Sequence, residues 1–184
     1  MKLIKFILII FILLTISIKA KSNEQLIKNL KEGGKLIFIR HAYAPGNGDP
    51  KNFDINNCLT QRNLNGEGRK QSAEIGKFFI KHNIPINNVI SSEWCRCKET
   101  ASIAFYGNYQ TKFFLNSFYD LRFSKNKKNQ IKALKKYIDN WDSNKNLVLV
   151  THYVVISELL KVYPSSGEIV ISDKEYKIIG NINF

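Results

Sequence analysis

The residues best suited to chemistry in this chain are two histidines that each follow an apolar segment. His41 comes after Arg40 in LIFIRHA, and His152 comes after Thr151 in LVLVTHY. The chain has only three histidines, and the third, His82, has no such position. A neutral imidazole is available near pH 7 and can act as a nucleophile or carry a proton. The repeated position predicts that the first two histidines share a site.

A further segment adds an arginine to the same predicted site. In SSEWCRCKETA, Arg96 lies in the first turn of a helix that is predicted to follow a strand. Arginine offers a planar fork of donors that matches phosphate oxygens, and helix N-termini add backbone N–H groups. Together with Arg40 and the two histidines, Arg96 favours a dianionic phosphoryl group over an acyl group. The sequence has no G-x-S-x-G nucleophile motif and no G-x-x-x-x-G-K-[ST] phosphate loop.

The elements that must position these residues alternate between strand and helix. Short apolar segments predict strands over 35–39, 88–91, 147–150 and, as a candidate, 112–115. Apolar stripes and capping residues predict helices over 65–81, 93–105, 129–141 and 154–162. A closing hairpin is predicted over 168–171 and 176–179. This alternation predicts an α/β three-layer sandwich, with a mostly parallel central sheet and helices on both faces.

In such a sheet, ligands bind beyond the carboxyl ends of the strands. Three pairs of polar residues fall at predicted strand ends: Arg40 with His41, Ser91 with Ser92, and Thr151 with His152. We therefore expect three strands to deliver their polar ends to one crevice.

The first twenty residues have the pattern of a secretory signal. Two lysines precede an apolar stretch over 6–14, and cleavage is expected near Ala20. An uncleaved anchor is the alternative, although the apolar stretch is short for about 30 Å of hydrocarbon. We expect residues 1–20 to be a signal peptide and residues 21–184 to form one domain. We further expect a periplasmic or secreted protein without stable membrane insertion.

The chain carries a formal net charge of +13. This falls to +10 without residues 1–20, because that segment holds three lysines and no acidic residue. The excess charge is mostly lysine spread along the chain, without an arginine-rich run or a basic patch interleaved with aromatic residues. Nucleic acid is therefore not expected as a partner. The expected partner is a phosphorylated small molecule or a phosphosugar.

Three cysteines, Cys58, Cys95 and Cys97, fit one disulfide and one leftover thiol in an exported protein. Cys95 and Cys97 are too close to bridge comfortably, so we expect Cys58 to pair with one of them. A zinc site is a weak alternative, because the usual paired spacings and a nearby histidine are missing. We expect neither a metal nor a cofactor, since no carboxylate cluster suits magnesium or calcium.

Four motifs, in order along the chain, resemble those of the histidine phosphatase superfamily, also called phosphoglycerate mutase-like. They are IRHAYA, NLNGEGRKQSAEIG, SSEWCRCKETA and LVLVTHYVVI. The resemblance covers nearly all of residues 36–160. It implies the phosphoglycerate mutase-like fold for the domain.

The resemblance also implies roles for individual residues. His41 would be the nucleophile that forms a phosphohistidine. Arg40, Arg96 and His152 would surround the phosphoryl oxygens and stabilise the charge of the transition state. Arg62, in TQRNL, stands where many relatives place a substrate-facing arginine. The alternative for Arg62 is a solvated loop residue.

The general acid is less determined. Many relatives place a glutamate after the third strand, whereas the corresponding stretch here, LNSFYDLRF, has none. Asp120 is the nearest carboxylate and the expected proton donor, with Asp49 and Glu168 as alternatives. The acid-phosphatase branch has His-Asp at the second histidine, and this chain has His152-Tyr153 instead. If no acid is positioned, good leaving groups, including phosphoramidates, are favoured.

These features predict a metal-independent phosphomonoesterase that acts outside the cytoplasm. A narrower alternative is an exported sugar-phosphate phosphatase, of the kind that acts on lipopolysaccharide heptose phosphate. A non-catalytic phosphate-ester-binding protein on the same fold is the alternative from a different class. The four intact arginine and histidine positions favour an enzyme, and the missing glutamate keeps the binding protein open.

Overall fold

The computed structural model describes residues 23–184. The predicted signal peptide over 1–20 lies outside the described residues. Within the described part, no helix is long and apolar enough to cross a membrane.

Six strands form a single sheet in the order β3-β2-β4-β1-β5-β6. Their bounds are β1 Leu36–Arg40, β2 Ile86–Ser91, β3 Gln110–Thr111, β4 Asn146–Thr151, β5 Ile169–Ser172 and β6 Ile178–Ile182. Strands β1 to β4 are mutually parallel, β5 runs antiparallel to β1, and β6 runs antiparallel to β5. The mostly parallel sheet and the closing hairpin are therefore confirmed.

The helices lie in two layers, one on each face of the sheet. Their bounds are residues 23–32 for α1, and Gly66–Lys81 for α2, Cys95–Ala104 for α3, Leu121–Ser124 for α4, Lys127–Asp139 for α5 and Tyr153–Leu160 for α6. Alternate strand residues face opposite layers. Ile37 of β1 packs in a core with Ile75 of α2, whereas Phe38 packs in a second core with Leu134 of α5 and Ile156 of α6. The predicted three-layer sandwich is confirmed.

The pairing of β1 with β4 sets two residues of the site side by side. Arg40 is opposite Thr151 in the parallel register, and the His41 amide donates to the Thr151 carbonyl oxygen at 2.9 Å. Because both strands are buried on both faces, a shift of register would move their apolar side chains between the two cores. The core thus fixes where His41 and His152 leave the sheet.

Two parts of the prediction differ from the structure. The strand predicted over 112–115 is wrong, since the third strand is Gln110–Thr111 and Phe113–Leu115 is a 3-10 helix. Strand pairing ends where the Lys112 amide donates to the Ser91 carbonyl, and the next apolar residues turn into the α5 and α6 core. A short apolar run does not by itself distinguish a strand from other buried structure. In addition, α1 was not predicted.

Candidate active site

His41 lies directly after β1 and is only 3% exposed. Its Nδ1 is 2.8 Å from the Ala42 carbonyl oxygen, so this nitrogen is assigned the proton and donates it. Nε2 therefore keeps its lone pair, and the Arg96 Nε–H donates to it at 3.1 Å. Burial, and next the positive charge of Arg96, hold the pKa of His41 well below its ordinary value. The imidazole is neutral near pH 7, which is the form a nucleophile needs.

His152 lies directly after β4, with its ring centroid 5.3 Å from that of His41. Its Nε2 is 3.0 Å from the Ser92 hydroxyl, which in turn donates to Asn116 Oδ1 at 3.0 Å. These hydrogen bonds assign the His152 proton to Nε2 and leave Nδ1 as an acceptor, 3.5 Å from Arg96 Nη2. Burial, and next the charge of Arg96, lower the pKa of His152 well below its ordinary value.

Arg96 lies in the first turn of α3, with a side chain that is 4% exposed. Its two Nη atoms donate to the Asp49 carboxylate, at 2.8 Å to Oδ1 and 3.2 Å to Oδ2. The same carboxylate accepts from the Trp94 indole at 3.1 Å and from the Arg62 amide at 3.0 Å. Burial raises the pKa of Asp49, but the hydrogen bonds and charge of Arg96, together with the hydrogen bonds from the Arg62 amide and the Trp94 indole, outweigh it and leave the pKa lowered.

Two further arginines reach the same place. Arg40 donates from Nη1 to the Pro164 carbonyl at 2.8 Å and lies 5.3 Å from the ring centroid of Tyr153. Its Nε has no hydrogen-bond partner among the described residues. Arg62 is half-buried and donates from Nε to the Gly48 carbonyl at 3.1 Å. The structure thus places Arg62 against the loop that carries Asp49, not in open solvent.

These side chains line a cavity of about 160 Å³ at the carboxyl ends of β1, β2 and β4. The cavity is therefore where the predicted crevice was expected. Three arginines and both strand-end histidines contribute to its lining. The lining also includes five aromatic side chains: Tyr43, Trp94, Tyr119, Phe123 and Tyr153. The arrangement suits a compact anion attached to a larger group.

The three candidate acids occupy different environments. Asp120 lines the cavity, caps α4, and pairs with Arg122 Nη2 at 2.8 Å. Hydrogen bonds from Arg122 lower the pKa of Asp120, so the resting side chain is a carboxylate. Glu168 is outside the lining and accepts from the Asn181 amide at 2.8 Å. Asp49 is the partner of Arg96.

The cysteines form the expected single disulfide, and the structure pairs Cys58 with Cys95. Cys97 is buried and unpaired, with Sγ 3.5 Å from His152 Nε2. Burial raises the pKa of Cys97 to about 12, so its thiol is protonated at neutral pH. Over residues 23–184, no group of three or more histidine, cysteine or acidic side chains has an arrangement that could hold a metal ion.

Sequence reasoning missed two contacts of the site. It considered Asp49 only as an acid, whereas the structure makes it the partner of Arg96 across 47 residues of sequence. It also missed the Ser92–Asn116 pair behind His152. Ser92 carried a signal, because it follows a predicted strand. Asn116 carried none, because only the tertiary fold brings it near.

Solved structures with a similar fold support the motif-based resemblance. TTHB049 from Thermus thermophilus matches with a TM-score of 0.59 and 14% identity, over 82% of this chain and 99% of the other. Phosphoglycerate mutase from the same organism matches with a TM-score of 0.57 and 15% identity, over 82% of this chain and 99% of the other. The protein histidine phosphatase SixA, solved with tungstate, matches with a TM-score of 0.56 and 13% identity, over 80% of this chain and 96% of the other. No protein-family model and no curated protein matches the sequence. The chain has the phosphoglycerate mutase-like fold.

Proposed function

We propose that the protein is a phosphatase that hydrolyses phosphate monoesters through a phosphohistidine on His41, without a metal ion. The observation that carries this proposal is the state of His41. Its ring is buried in the wall of a cationic cavity, its Nδ1–H is held by the Ala42 carbonyl, and its Nε2 keeps the lone pair. The fold, which is also that of a protein histidine phosphatase, supports the same reaction class.

The proposed reaction has two displacements at phosphorus. In the first, the His41 Nε2 lone pair forms an N–P bond while the P–O bond to the leaving group breaks. The leaving oxygen takes a proton, from Asp120 in its protonated form or from water, and departs as an alcohol. In the second, water attacks phosphorus, the N–P bond breaks, and orthophosphate is released with a proton. Attack requires that the Arg96 Nε–H turn from the Nε2 lone pair towards the phosphoryl group.

The remaining cationic side chains stabilise charge on the phosphoryl oxygens. Arg40, Arg62 and Arg96 line the same cavity and place positive charge around the phosphoryl group in a largely buried site. Burial holds His152 neutral, and a nearby dianion favours its protonated form. A bound phosphoryl group would therefore raise the pKa of His152 and let Nδ1 become a donor.

We also propose that the protein is exported to the periplasm or secreted, and that its substrate is a phosphosugar. The Cys58–Cys95 disulfide supports export, because disulfides persist mainly in oxidising compartments. The aromatic lining supports a ring-bearing substrate, because such side chains offer amphipathic contact surfaces at ligand sites. A lipopolysaccharide heptose phosphate is one member of this substrate class.

The test is hydrolysis of an aryl phosphate in the presence of a chelator, combined with covalent labelling from a ³²P-labelled substrate. We expect wild-type protein to turn over and to become labelled, and His41→Ala to lose both. His82→Ala is the matched control, because this histidine caps the end of α2 outside the cavity. Loss of wild-type turnover on chelation, or activity of His41→Ala, would refute the mechanism. Phosphate binding without any turnover would instead favour the non-catalytic binding protein.

A further inference from the structure

Arg96, the most buried cation of the cavity, has no donor left for a ligand. A guanidinium has five N–H groups. The Nε–H donates to His41, and Nη1 donates to Asp49 and to the Arg62 carbonyl oxygen at 3.2 Å. Nη2 donates to Asp49 and lies 3.5 Å from His152 Nδ1. A phosphoryl oxygen can therefore bind Arg96 only if one of these partners leaves.

Asp49 is the partner that most resembles a phosphoryl group. Its two oxygens take both Nη atoms of Arg96 in the bidentate geometry that arginine also offers to phosphate. The ion pair is buried, with 4% of the Arg96 side chain and 9% of the Asp49 side chain exposed. The Asp49 carboxylate thus holds the donors that two phosphoryl oxygens would use.

Several features of the loop that carries Asp49 favour movement away from Arg96. Gly46 and Gly48 have positive φ angles of 88° and 69°, and residues 45–47 are exposed. Beside the Asp49 side chain, the loop is held by arginine contacts to its carbonyl oxygens, from Arg62 on one side and Arg122 on the other. Segments with exposed backbone and little apolar packing open at low cost in free energy.

We propose that Asp49 is an internal competitor for the phosphate site. A phosphoryl group binds by displacing the Asp49 carboxylate from Arg96, so Asp49 sets the affinity of the site. A dianion can win this exchange, because it carries more charge than the single carboxylate that it replaces. The inference rests on the proposed function for the identity of the ligand as a phosphate, and its test uses binding alone.

The first test compares orthophosphate binding to wild-type and Asp49→Asn proteins by titration calorimetry. The apparent Kd equals the intrinsic Kd divided by the fraction of open, binding-competent protein. Minor conformations are typically about 0.1–10% populated. Asp49→Asn removes the charge that closes the site, so we expect it to bind orthophosphate about tenfold more tightly or better. Equal or weaker binding, or no binding by either protein, would overturn the proposal.

Asp120→Asn is the matched control. It removes the same charge from the lining of the same cavity, but its partner is Arg122 and not Arg96. Solvent and salt screen this partly exposed charge, so we expect a change in Kd of less than about threefold. If Asp120→Asn increased the affinity for orthophosphate as much as Asp49→Asn, the increase would reflect only the loss of a negative charge from the cavity. That result would overturn the proposal.

The second test needs no tighter-binding variant. The Trp94 indole N–H donates to the Asp49 carboxylate, whereas the indole N–H of Trp141, the only other tryptophan, has no partner among the described residues. Saturating orthophosphate should shift the Trp94 indole signal in ¹⁵N–¹H NMR spectra of the wild-type protein and leave that of Trp141 in place. Ligand-free Asp49→Ala should show its Trp94 signal displaced in the same direction.

A Trp94 signal that stays in place at phosphate saturation would overturn the proposal. The outcomes also separate this inference from the proposed reaction. Tighter binding by Asp49→Asn without turnover of any ester would refute the phosphatase and leave Asp49 as a competitor. Turnover through His41, with unchanged orthophosphate binding by Asp49→Asn, would support the phosphatase and refute Asp49 as a competitor.

Discussion

The cavity has two walls that differ in how the fold holds them. The strand-end wall, which consists of His41, Arg96 and His152, follows directly from three neighbouring parallel strands. Backbone hydrogen bonds continue up to the site, with the Ser92 amide donating to the Val150 carbonyl at 2.9 Å. All three residues of this wall are at most 3% exposed. Their positions are therefore set by the register of the sheet and the packing of its two cores.

The loop wall, which consists of residues 43–50, Arg62 and residues 119–123, is held by other means. Arg62 and Arg122 donate to carbonyl oxygens of the first loop, and a disulfide ties Cys58 to the start of α3. Much of its surface is exposed. Loops held in this way tolerate change and open more easily than sheet ends. The difference suggests that the strand-end wall provides the chemistry and the loop wall controls access and affinity.

The prediction with the largest expected effect concerns Asp120, and it tests whether the loop wall takes part in the chemistry. If Asp120 protonates the leaving oxygen, a chemical step belongs to the loop wall. Asp120→Asn should then slow alkyl phosphates by about 10²–10⁴-fold, because an alkoxide leaves poorly without a proton. A nitrophenyl phosphate should be barely affected, because its leaving group needs little help. Steady-state rates with both substrates provide the measurement.

Arg122→Gln is the companion variant. Arg122 lowers the pKa of Asp120, so its removal should bring that pKa back up and preserve any acid catalysis. Equal slowing of both substrates by Asp120→Asn would indicate a binding or structural role. No slowing of either would mean that Asp120 is not the acid, and would leave Asp49, Glu168 or catalysis without a side-chain acid as the alternatives.

A pair of arginine variants sharpens the comparison. Arg96→Lys replaces the planar guanidinium of the strand-end wall with a single ammonium group. We expect kcat to fall by about 10²–10³-fold, as for a lost oxyanion donor. Arg62→Lys changes the loop wall, and we expect mainly a rise in KM of about tenfold. Initial rates over a range of aryl phosphate concentrations separate the two parameters. Similar losses of kcat in both variants would contradict the division of roles.

The sequence predicted the strand-end wall better than the loop wall, and the reason is physical. Apolar periodicity locates parallel strands, and polar residues at their carboxyl ends must converge on one edge of the sheet. His41, His152 and Arg96 could therefore be grouped without coordinates. The bidentate contact of Asp49 with Arg96 has no local signal, because it depends on the path of an irregular loop with two left-handed glycines. Loop paths of this kind are decided by tertiary contacts.

The disulfide was predicted only as far as sequence allows. Cys95 and Cys97 lie two positions apart in the first turn of α3, so they point in different directions from the helix. Which of them faces Cys58 depends on the rotation of the helix against the sheet. That rotation is set by packing, which buries Cys97 in the core and leaves Cys95 beside the loop.

Removal of the disulfide should loosen the loop wall more than the strand-end wall. The Cys58→Ser, Cys95→Ser double variant should lose about 2–4 kcal/mol of unfolding free energy, because the bridge closes a loop of 37 residues in the unfolded chain. KM for an aryl phosphate should rise more than kcat falls. Denaturant unfolding with and without a reductant provides the control, since only wild-type protein should respond. A variant as stable as wild type, or one that loses only kcat, would contradict this expectation.

The smallest expected effect belongs to the strand-end wall and concerns pH. Burial lowers the pKa of His41 and of His152 well below the ordinary value of 6.5. Between the lowered pKa and 6.5 the unfolded chain binds more protons than the folded chain, so stability is full above pH 6.5 and falls as pH falls. Each buried imidazole should remove about 1.4 kcal/mol of unfolding free energy per pH unit in this range.

Urea unfolding between pH 8 and about 5.5, above the ordinary range of the carboxylates, measures the slope. The His41→Gln, His152→Gln double variant should flatten most of it, and His82→Gln should leave most of it. If the unfolding free energy of the wild-type protein did not change with pH, burial would not hold the strand-end imidazoles neutral. That result would contradict the distinction between a buried strand-end wall and an open loop wall.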